Sequence, residues 1–142
     1  MADLKALATL ALELTDRHDW AGREALLTPD CDFRTPAGVA RGRAATTAYS
    51  QPFMTAFPDG RHLIDLITAG DDVAVVEGSW VATHTGPLST PGGDVPATGT
   101  EITLPFVLVA QVEGELIASL HVYFDQLSFL AQLGLVPQPA AA

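Results

Sequence analysis

The sequence predicts an α+β fold in which N-terminal helices lie against one face of a curved antiparallel sheet that encloses a pocket. Apolar residues in the first part of the chain recur at the helical spacing of about 3.6 residues, whereas after Gly60 they alternate every second residue, as in strands. Gly70-Asp71 and Glu113-Gly114 are tight-turn signals between the later runs, and such turns join antiparallel hairpins. Helices followed by hairpins therefore favour the α+β class.

The length and composition favour one folded domain. The 142 residues are enough to bury a substantial core. With 48% hydrophobic residues, 17% charged residues, 12 Gly and 10 Pro, the chain is too apolar for disorder and too rich in turn formers for a helical bundle. We expect a single domain over residues 1–136 and a flexible tail, rich in Pro and Ala, at residues 137–142.

The first two elements are expected to form a helical hairpin. Apolar residues at helical spacing predict an amphipathic helix over residues 4–18, with Asp3 as its N-cap. A shorter helix over residues 19–27 should end before Thr28-Pro29-Asp30, because the residue before a proline avoids the helical region.

A third helix is predicted over residues 43–56, but Pro52 lies inside it. Proline removes a backbone donor and clashes with the preceding turn, so we expect a break near Ser50 and two short pieces. Before this helix, residues 31–35 should form a short β-like run and residues 38–42 a turn.

The second half of the chain is expected to consist of strands, followed by one more apolar segment over residues 127–133. A longer loop, rich in Pro, Gly, Ser and Thr, separates the second and third strands at residues 87–99. The predicted strands cover residues 61–69, 72–85, 101–113 and 115–125.

The charge of the chain makes nucleic acid and membrane poor candidate partners. Seventeen acidic residues against seven basic ones give a formal net charge of −10, which repels phosphate backbones and anionic lipid surfaces. The apolar run at residues 6–12 is flanked by charges and is too short to cross a bilayer, so we expect neither export nor insertion.

The cysteine count and the motifs restrict the chemistry. Cys31 is the only cysteine, which excludes an intramolecular disulfide and a multi-cysteine metal site and fits a cytoplasmic location. The sequence lacks phosphate-binding glycine loops, His-Glu-x-x-His and Gly-x-Ser-x-Gly, and its four histidines are scattered. We therefore expect no metal and no cofactor, and any chemistry should be acid/base work by carboxylate and imidazole groups.

The last predicted strand has one polar face and one apolar face. Alternation puts His121, Tyr123 and Asp125 on one face and Leu120 and Val122 on the other. Polar groups near a core cost free energy unless they are paired or used, which favours a functional face. The same pattern also fits the solvent-facing side of an ordinary antiparallel sheet, and the pattern alone leaves both interpretations open.

Six short motifs occur in order along the chain. They are Phe57-Pro58-Asp59, Gly70-Asp71-Asp72-Val73-Ala74-Val75, Thr83-His84-Thr85-Gly86-Pro87, Val112-Glu113-Gly114-Glu115-Leu116-Ile117, Tyr123-Phe124-Asp125-Gln126 and Gln132-Leu133-Gly134-Leu135. Through these motifs the chain resembles the SnoaL-like polyketide cyclase family from about Leu4 to Val136. The resemblance implies the nuclear transport factor 2-like fold: a cone of helices and a bent antiparallel sheet around one deep apolar pocket, as in ketosteroid isomerase and limonene epoxide hydrolase.

The resemblance also implies a reaction. Family cyclases close a polyketide ring by intramolecular aldol condensation with one Asp as the acid/base and without a metal or cofactor, and the matching residue here is Asp125. A carboxylate in an apolar pocket has a raised pKa and can take a proton from an acidified carbon. In the family a His assists, but Ala110-Gln111-Val112 stands at its position, so this partner is either absent here or replaced by His84 or His121.

The substrate is expected to be a small or medium apolar carbonyl compound. An aromatic wall should contact it, drawn from Trp20, Phe33, Tyr49, Phe53, Phe57, Trp80, Phe106 and Tyr123.

Two alternatives remain open at the level of sequence. Water addition, as in the epoxide hydrolases on this scaffold, needs a second acid and an Arg beside Asp125, for which Arg34 is the candidate. A non-catalytic binding or dimerisation module would instead leave Asp125 exposed or in a salt bridge. In either case the apolar Val107 and Val109 on the outer sheet face lead us to expect a homodimer.

Overall fold

The computed structural model describes residues 2–136, and the expected tail at residues 137–142 lies outside them. Four helices and eight strands are found in the described part. The helices are α1 (Leu4–Asp16), α2 (Trp20–Glu24), α3 (Arg43–Ala56) and α4 (Gln126–Gln132). The strands are β1 (Leu27–Thr35), β2 (Gly38–Arg41), β3 (Arg61–Ala69), β4 (Val73–Thr83), β5 (Leu88–Thr90), β6 (Gly93–Val95), β7 (Glu101–Glu113) and β8 (Leu116–Phe124).

Six of the strands form one curved sheet in the order β2-β1-β8-β7-β4-β3. All neighbours in it are antiparallel except β1 and β8, which run parallel. Helix α1 packs against β3 and β4, whereas α3 packs against β1, β2 and β5. The α+β class predicted from the sequence is therefore confirmed, with the helices on the inner face of the sheet.

The core has two neighbouring parts along this inner face. One is built around Leu27, Leu108 and Ile117, and the other around Phe57 and Ile102; all five are fully buried or nearly so. Burying large apolar side chains contributes about 1.5–3 kcal/mol each, so these two clusters hold the helices on the sheet. None of the helices in residues 2–136 is long and apolar enough to cross a membrane.

Several element bounds agree with the expectations. Asp3 caps α1 by accepting a hydrogen bond from the Ala6 N–H at 3.1 Å, and β3 and β7 begin and end at the predicted residues. The predicted loop over residues 87–99 also contains the small β5–β6 hairpin.

Three local predictions were wrong. The second helix ends at Glu24 rather than at residue 27, and β1 begins at Leu27 rather than at residue 31. Helix α3 continues through Pro52 without a break near Ser50, because the turn after the proline is fixed by packing of Met54 and Ala56, which are 5% and 0% exposed. Residues 38–42 are not only a turn: Gly38–Arg41 pair with β1 as strand β2.

A β-bulge near the start of β8 decides which of its faces points inward. Gln111 of β7 pairs with Ser119, but the adjacent Val112 pairs with Ile117, so β8 holds one extra residue at this point. Beyond the bulge, Leu120 and Val122 point to the inner face and His121 and Tyr123 to the outer face. The polar face of this strand is therefore the outer side of the sheet.

Candidate active site

A cavity of about 150 Å³ lies between the helices and the inner face of the sheet. In another protein an apolar cavity of about this size holds a benzene molecule, so this one has room for about one aromatic ring. Its lining is mostly aliphatic and aromatic. The polar lining residues are Thr15, Arg23, Thr35, Tyr49, Ser50 and His62.

His62 and Asp16 form a hydrogen-bonded pair at the wall of this cavity. The Asp16 Oδ1 atom lies 2.7 Å from His62 Nδ1, and the other oxygen, Oδ2, accepts a hydrogen bond from the His62 backbone N–H at 3.0 Å. Their side chains are 17% and 21% exposed. Two contacts from one carboxylate fix both the position and the rotation of the imidazole ring.

The local structure brings these two residues together from distant parts of the chain. Asp16 is the last residue of α1, which ends because His18 adopts a left-handed conformation with φ of 59°. His62 is the second residue of β3 and pairs in register with Trp80, whose side chain also lines the cavity. The His62 ring stands edge-on to Phe106, with centroids 5.1 Å apart.

This arrangement selects one role for each imidazole nitrogen. A carboxylate accepts hydrogen bonds, so its partner Nδ1 carries the proton, and Nε2 is left with a free lone pair. Within residues 2–136, His62 is hydrogen-bonded through its backbone N–H and Nδ1 and not through Nε2. An imidazole held in this way can accept a proton at Nε2, while the carboxylate stabilises the imidazolium that forms.

Arg23 lines the cavity as a buried cation that forms no salt bridge within residues 2–136. It is 3% exposed, and its guanidinium lies over the rings of Trp20 and Phe33, 5.5 and 5.7 Å from their centroids. Burial lowers the pKa of Arg23 well below the ordinary value of arginine, to about 10, and the nearby Cys31 and Glu24 offset only part of this effect. The group still carries its charge at neutral pH.

A hydroxyl pair lies elsewhere on the cavity wall. Tyr49 and Thr35 are hydrogen-bonded through their hydroxyl oxygens at 2.6 Å, and Thr35 Oγ1 also accepts the Ala37 N–H at 3.0 Å. If Thr35 donates to Tyr49, the phenolic proton of Tyr49 is free for a bound molecule. The cavity thus combines an acceptor, a donor and a cation on an apolar wall.

Five of the eight residues expected in the aromatic wall line the cavity, and three do not. Trp20 packs outside it over Arg23, Phe57 is fully buried against Trp80 and Phe129, and Tyr123 is 56% exposed on the outer sheet face. The lining members are Phe33, Tyr49, Phe53, Trp80 and Phe106. Their contact with a substrate stays a prediction.

The structure does not bring Asp125 into the cavity. Its side chain is exposed and caps α4, accepting the Ser128 N–H at Oδ1 over 3.1 Å. The inward position at this end of β8 belongs to Phe124, and Asp is a favoured residue where a helix begins. A catalytic role for Asp125 stays a prediction that this geometry does not support.

His84 also lies away from the cavity. It is 0% exposed, its Nδ1 lies 3.0 Å from Thr98 Oγ1, and its ring packs against Phe57 at 5.1 Å. This is the setting of a core histidine between a strand end and a loop.

His121 lies on the outer face of the sheet, where its Nε2 is 3.2 Å from Asp32 Oδ2. Arg34 contacts the same oxygen at 3.0 Å, so it pairs with Asp32 rather than with Asp125. Burial alone would raise the pKa of Asp32, but the hydrogen bond with His121 and the charges of Arg34 and Arg41 outweigh it and keep the pKa below its usual value. His121 and Asp32 form a second histidine–carboxylate pair, on the surface.

The sequence reasoning missed Asp16, Arg23 and His62. Some signal was present: His62 alternates with Ile64 on the apolar face of its strand, and Asp16 follows Leu12 by one helical turn. Asp16 and His62 are 46 residues apart, however, so no local spacing reveals that they meet. Within residues 2–136, no group of three or more His, Cys, Asp or Glu side chains is placed to hold a metal ion.

Solved structures with the same fold are found in several bacteria, all at low sequence identity. AclR of Streptomyces galilaeus, provisionally described as a hydroxylase, has a TM-score of 0.81 and 21% identity over 97% of this chain and 85% of its own. IdmH of Streptomyces antibioticus, provisionally described as a polyketide cyclase, has a TM-score of 0.78 and 23% identity over 93% of this chain and 99% of its own. An NTF2-like protein of unknown function from Burkholderia pseudomallei has a TM-score of 0.77 and 21% identity, covering 93% and 98% of the two chains.

Sequence comparisons identify the family to which the chain belongs. A search of the curated proteins finds no significant match. The family profile described as the SnoaL-like domain matches residues 8–120, which is most of the chain. Together with the cone of helices and curved sheet around one apolar cavity, this match establishes that the chain belongs to the SnoaL-like domain family and has the nuclear transport factor 2-like fold.

Proposed function

We propose that this protein is an acid/base enzyme that acts on a small apolar carbonyl compound without a cofactor, with His62 as the catalytic base and Asp16 as its positioning residue. The observation that carries the proposal is the 2.7 Å contact between His62 Nδ1 and Asp16 Oδ1 at the wall of an apolar cavity. A histidine held by a carboxylate and otherwise surrounded by apolar groups is a common arrangement for proton transfer.

The reaction that fits best is an intramolecular aldol condensation. His62 Nε2 removes a proton from the carbon next to a carbonyl, and the resulting enolate carbon attacks a second carbonyl of the same molecule. A carbon–carbon bond forms, the second carbonyl oxygen becomes an alkoxide, and His62 returns the proton to it. Asp16 stabilises the imidazolium between the two proton transfers, and confinement of both reacting ends supplies much of the remaining rate.

The other polar groups support this assignment. The Tyr49 hydroxyl, backed by Thr35, can donate to the carbonyl oxygen as negative charge develops on it. IdmH, a structural neighbour, is provisionally described as a polyketide cyclase, and ring closure by aldol chemistry is the reaction that the resemblance implies. With about 150 Å³ available, the cavity would hold the ring being closed and leave the rest of a longer substrate at its mouth.

The two alternatives from the sequence are less well supported. Water addition requires an arginine beside Asp125, and the candidate Arg34 instead pairs with Asp32 on the outer face of the sheet. The exposed Asp125 is what a non-catalytic module would show. A dimerisation module, however, needs no cavity, and a binding module needs no histidine–carboxylate pair at the cavity wall.

Proton abstraction can be measured before the natural substrate is known. The probe is 4-oxo-4-phenylbutanoate, which has one aromatic ring and exchangeable hydrogens on the carbon next to its ketone. In D₂O, NMR should show protein-dependent deuterium incorporation at that carbon. The substitution His62→Gln should slow this incorporation by about 100-fold or more, because general base catalysis contributes about 10²–10⁴-fold.

The surface pair provides a matched control for this experiment. His121→Gln removes a histidine that also contacts a carboxylate, but on the outer face of the sheet. Its exchange rate should stay within about twofold of the unmodified protein, since surface changes are usually small in effect. Equal exchange by the unmodified protein and His62→Gln would exclude His62 as the base.

We also propose that the protein is a homodimer. The outer sheet face carries an apolar patch of Val75, Val107, Val109 and Tyr123 on neighbouring strands, and Tyr123 is 56% exposed. Isologous pairing of this patch across a two-fold axis would remove it from water. Sedimentation at micromolar concentration should show a dimer, and Val107→Glu should shift it to a monomer; a monomeric unmodified protein would refute the proposal.

A further inference from the structure

Arg23 is a buried charge that the proposed acid/base chemistry does not use. It is 3% exposed, and within residues 2–136 its guanidinium forms no hydrogen bond and no ion pair. Glu24, the next residue, is engaged elsewhere, accepting a hydrogen bond from the Thr47 hydroxyl at 2.8 Å. A buried charge without a partner is costly, so such a group usually has a partner or a task.

The surroundings of Arg23 leave its donors available to a ligand. Trp20 and Phe33 interact with the guanidinium through their ring faces, at 5.5 and 5.7 Å. Stacking of this kind leaves the N–H groups at the edge of the planar guanidinium free. The side chain lines the cavity, so these donors are within reach of a molecule bound there.

A purely structural role explains this residue less well. If Arg23 only filled space between two rings, an uncharged side chain of similar length would do so without the cost of burying a charge. Asp16, the acid next to the cavity wall, is already engaged with His62 through both of its oxygens. Among the described residues, therefore, no acid forms an ion pair with the Arg23 cation at the cavity wall.

We propose that Arg23 binds the carboxylate of the substrate, and that the substrate class is a small aromatic or apolar oxo acid. The carbonyl part of this inference rests on the function proposed above, whereas the carboxylate part rests on Arg23 itself. A guanidinium and a carboxylate match as a planar, two-point hydrogen-bonded pair, which would also fix the orientation of the ring and ketone in front of His62.

The overall charge makes this binding selective. With a formal net charge of −10, the protein repels small anions from most of its surface. An apolar acid gains from entering the cavity only through the local cation and the apolar lining. Acids that lack an apolar body should therefore bind poorly, as should apolar molecules that lack the acid group.

The test compares two probes of nearly the same size and shape, of which only one carries a carboxylate. They are 3-phenylpropanoate and 3-phenylpropanamide, and isothermal titration calorimetry measures the affinity of each for the intact protein. Neither probe has a ketone, so the result does not depend on catalysis. The unmodified protein should bind the acid at least about tenfold more tightly than the amide, as expected for a charge-assisted hydrogen bond in a buried site.

Three variants locate the source of this preference. Arg23→Met should reduce the acid-to-amide affinity ratio to about one, and Arg23→Lys should restore part of it because it keeps the charge. Arg34→Met removes an arginine on the outer face and should leave the ratio unchanged. Circular dichroism checks that each variant is folded, and the ratio in the unmodified protein decides the question even if Arg23→Met does not fold.

The outcomes separate this inference from the proposed function. Equal affinity of the unmodified protein for acid and amide would overturn the inference, as would a preference for the acid that persists in folded Arg23→Met. A preference that depends on Arg23, in a protein that fails to catalyse deuterium exchange, would support the carboxylate site and refute the acid/base function. Catalysed deuterium exchange without any preference for the acid would support the acid/base function and refute the carboxylate site.

Discussion

The substitution Arg23→Met should make the protein more stable while it weakens ligand binding. Burial lowers the pKa of Arg23 well below the ordinary value of arginine, to about 10. At about 1.4 kcal/mol for each unit of pKa difference, the lowered pKa corresponds to a loss of about 3 kcal/mol of folding free energy at neutral pH. Methionine removes that cost but also removes the cation–π contacts with Trp20 and Phe33, worth about 1–2 kcal/mol together. The expected net gain is about 1–2 kcal/mol.

Thermal unfolding followed by circular dichroism measures this gain. For a chain of this length about 1 kcal/mol corresponds to about 3–4 °C, so the melting temperature of Arg23→Met should rise by about 3–8 °C. The matched control Arg34→Met, on the outer face, should change it little, because exposed ion pairs contribute only about 0–1 kcal/mol. A lower melting temperature for Arg23→Met would show that Arg23 is a satisfied structural group and would refute the reasoning.

The lowered pKa of Arg23 also predicts how the stability of the protein changes with pH. Above about pH 10 the folded protein loses its Arg23 proton before the unfolded chain does, so the stability contributed at this site rises with pH. The destabilisation by Arg23 is therefore complete below about pH 10 and decreases above it. Urea titrations should show a constant gap between Arg23→Met and the unmodified protein from pH 6 to 9 and a narrower gap at pH 11. A gap that widens with pH would contradict the assignment.

Two further predictions concern residues outside the cavity. Asp125→Ala should lower the free energy of unfolding by about 1 kcal/mol, the usual effect of losing an N-cap, and should leave the deuterium-exchange rate unchanged. Urea titration measures the stability and the NMR assay measures the exchange. Normal stability with lost exchange would restore Asp125 as a catalytic candidate. The Cys31 thiol, which is 0% exposed and whose pKa burial raises to about 11, should react with a thiol reagent only as fast as the protein opens, so rapid modification of the native protein would contradict its buried position.

The sequence was most informative where one residue type decides the local structure. Asp3 as an N-cap and the strand bounds of β3 and β7 could be read directly, because capping and alternation are local properties. The break predicted at Pro52 was wrong because tertiary packing of the following turn outweighed a local preference. Local rules predict elements well until burial competes with them.

The candidate site was harder to predict because it depends on which faces point inward. Alternation divided β8 into a polar and an apolar face, but it could not say which face meets the cavity, and the polar face proved to be the outer one. Asp16 and His62 become a pair only in the folded chain, and the isolation of Arg23 can be recognised only when all its neighbours are known. Family resemblance identified the fold, and the pairing of side chains required the structure.

The most direct test of the central claim compares Asp16→Asn with Asp125→Asn in the deuterium-exchange assay. Asn at position 16 can still accept the His62 backbone N–H but no longer provides a charge for the imidazolium, so the exchange rate should fall by about 100-fold or more, with partial recovery in Asp16→Glu. Asp125→Asn keeps a good helix cap and should exchange at the rate of the unmodified protein. A normal rate for Asp16→Asn, or a lost rate for folded Asp125→Asn, would contradict the claim that His62 and Asp16 form the catalytic pair.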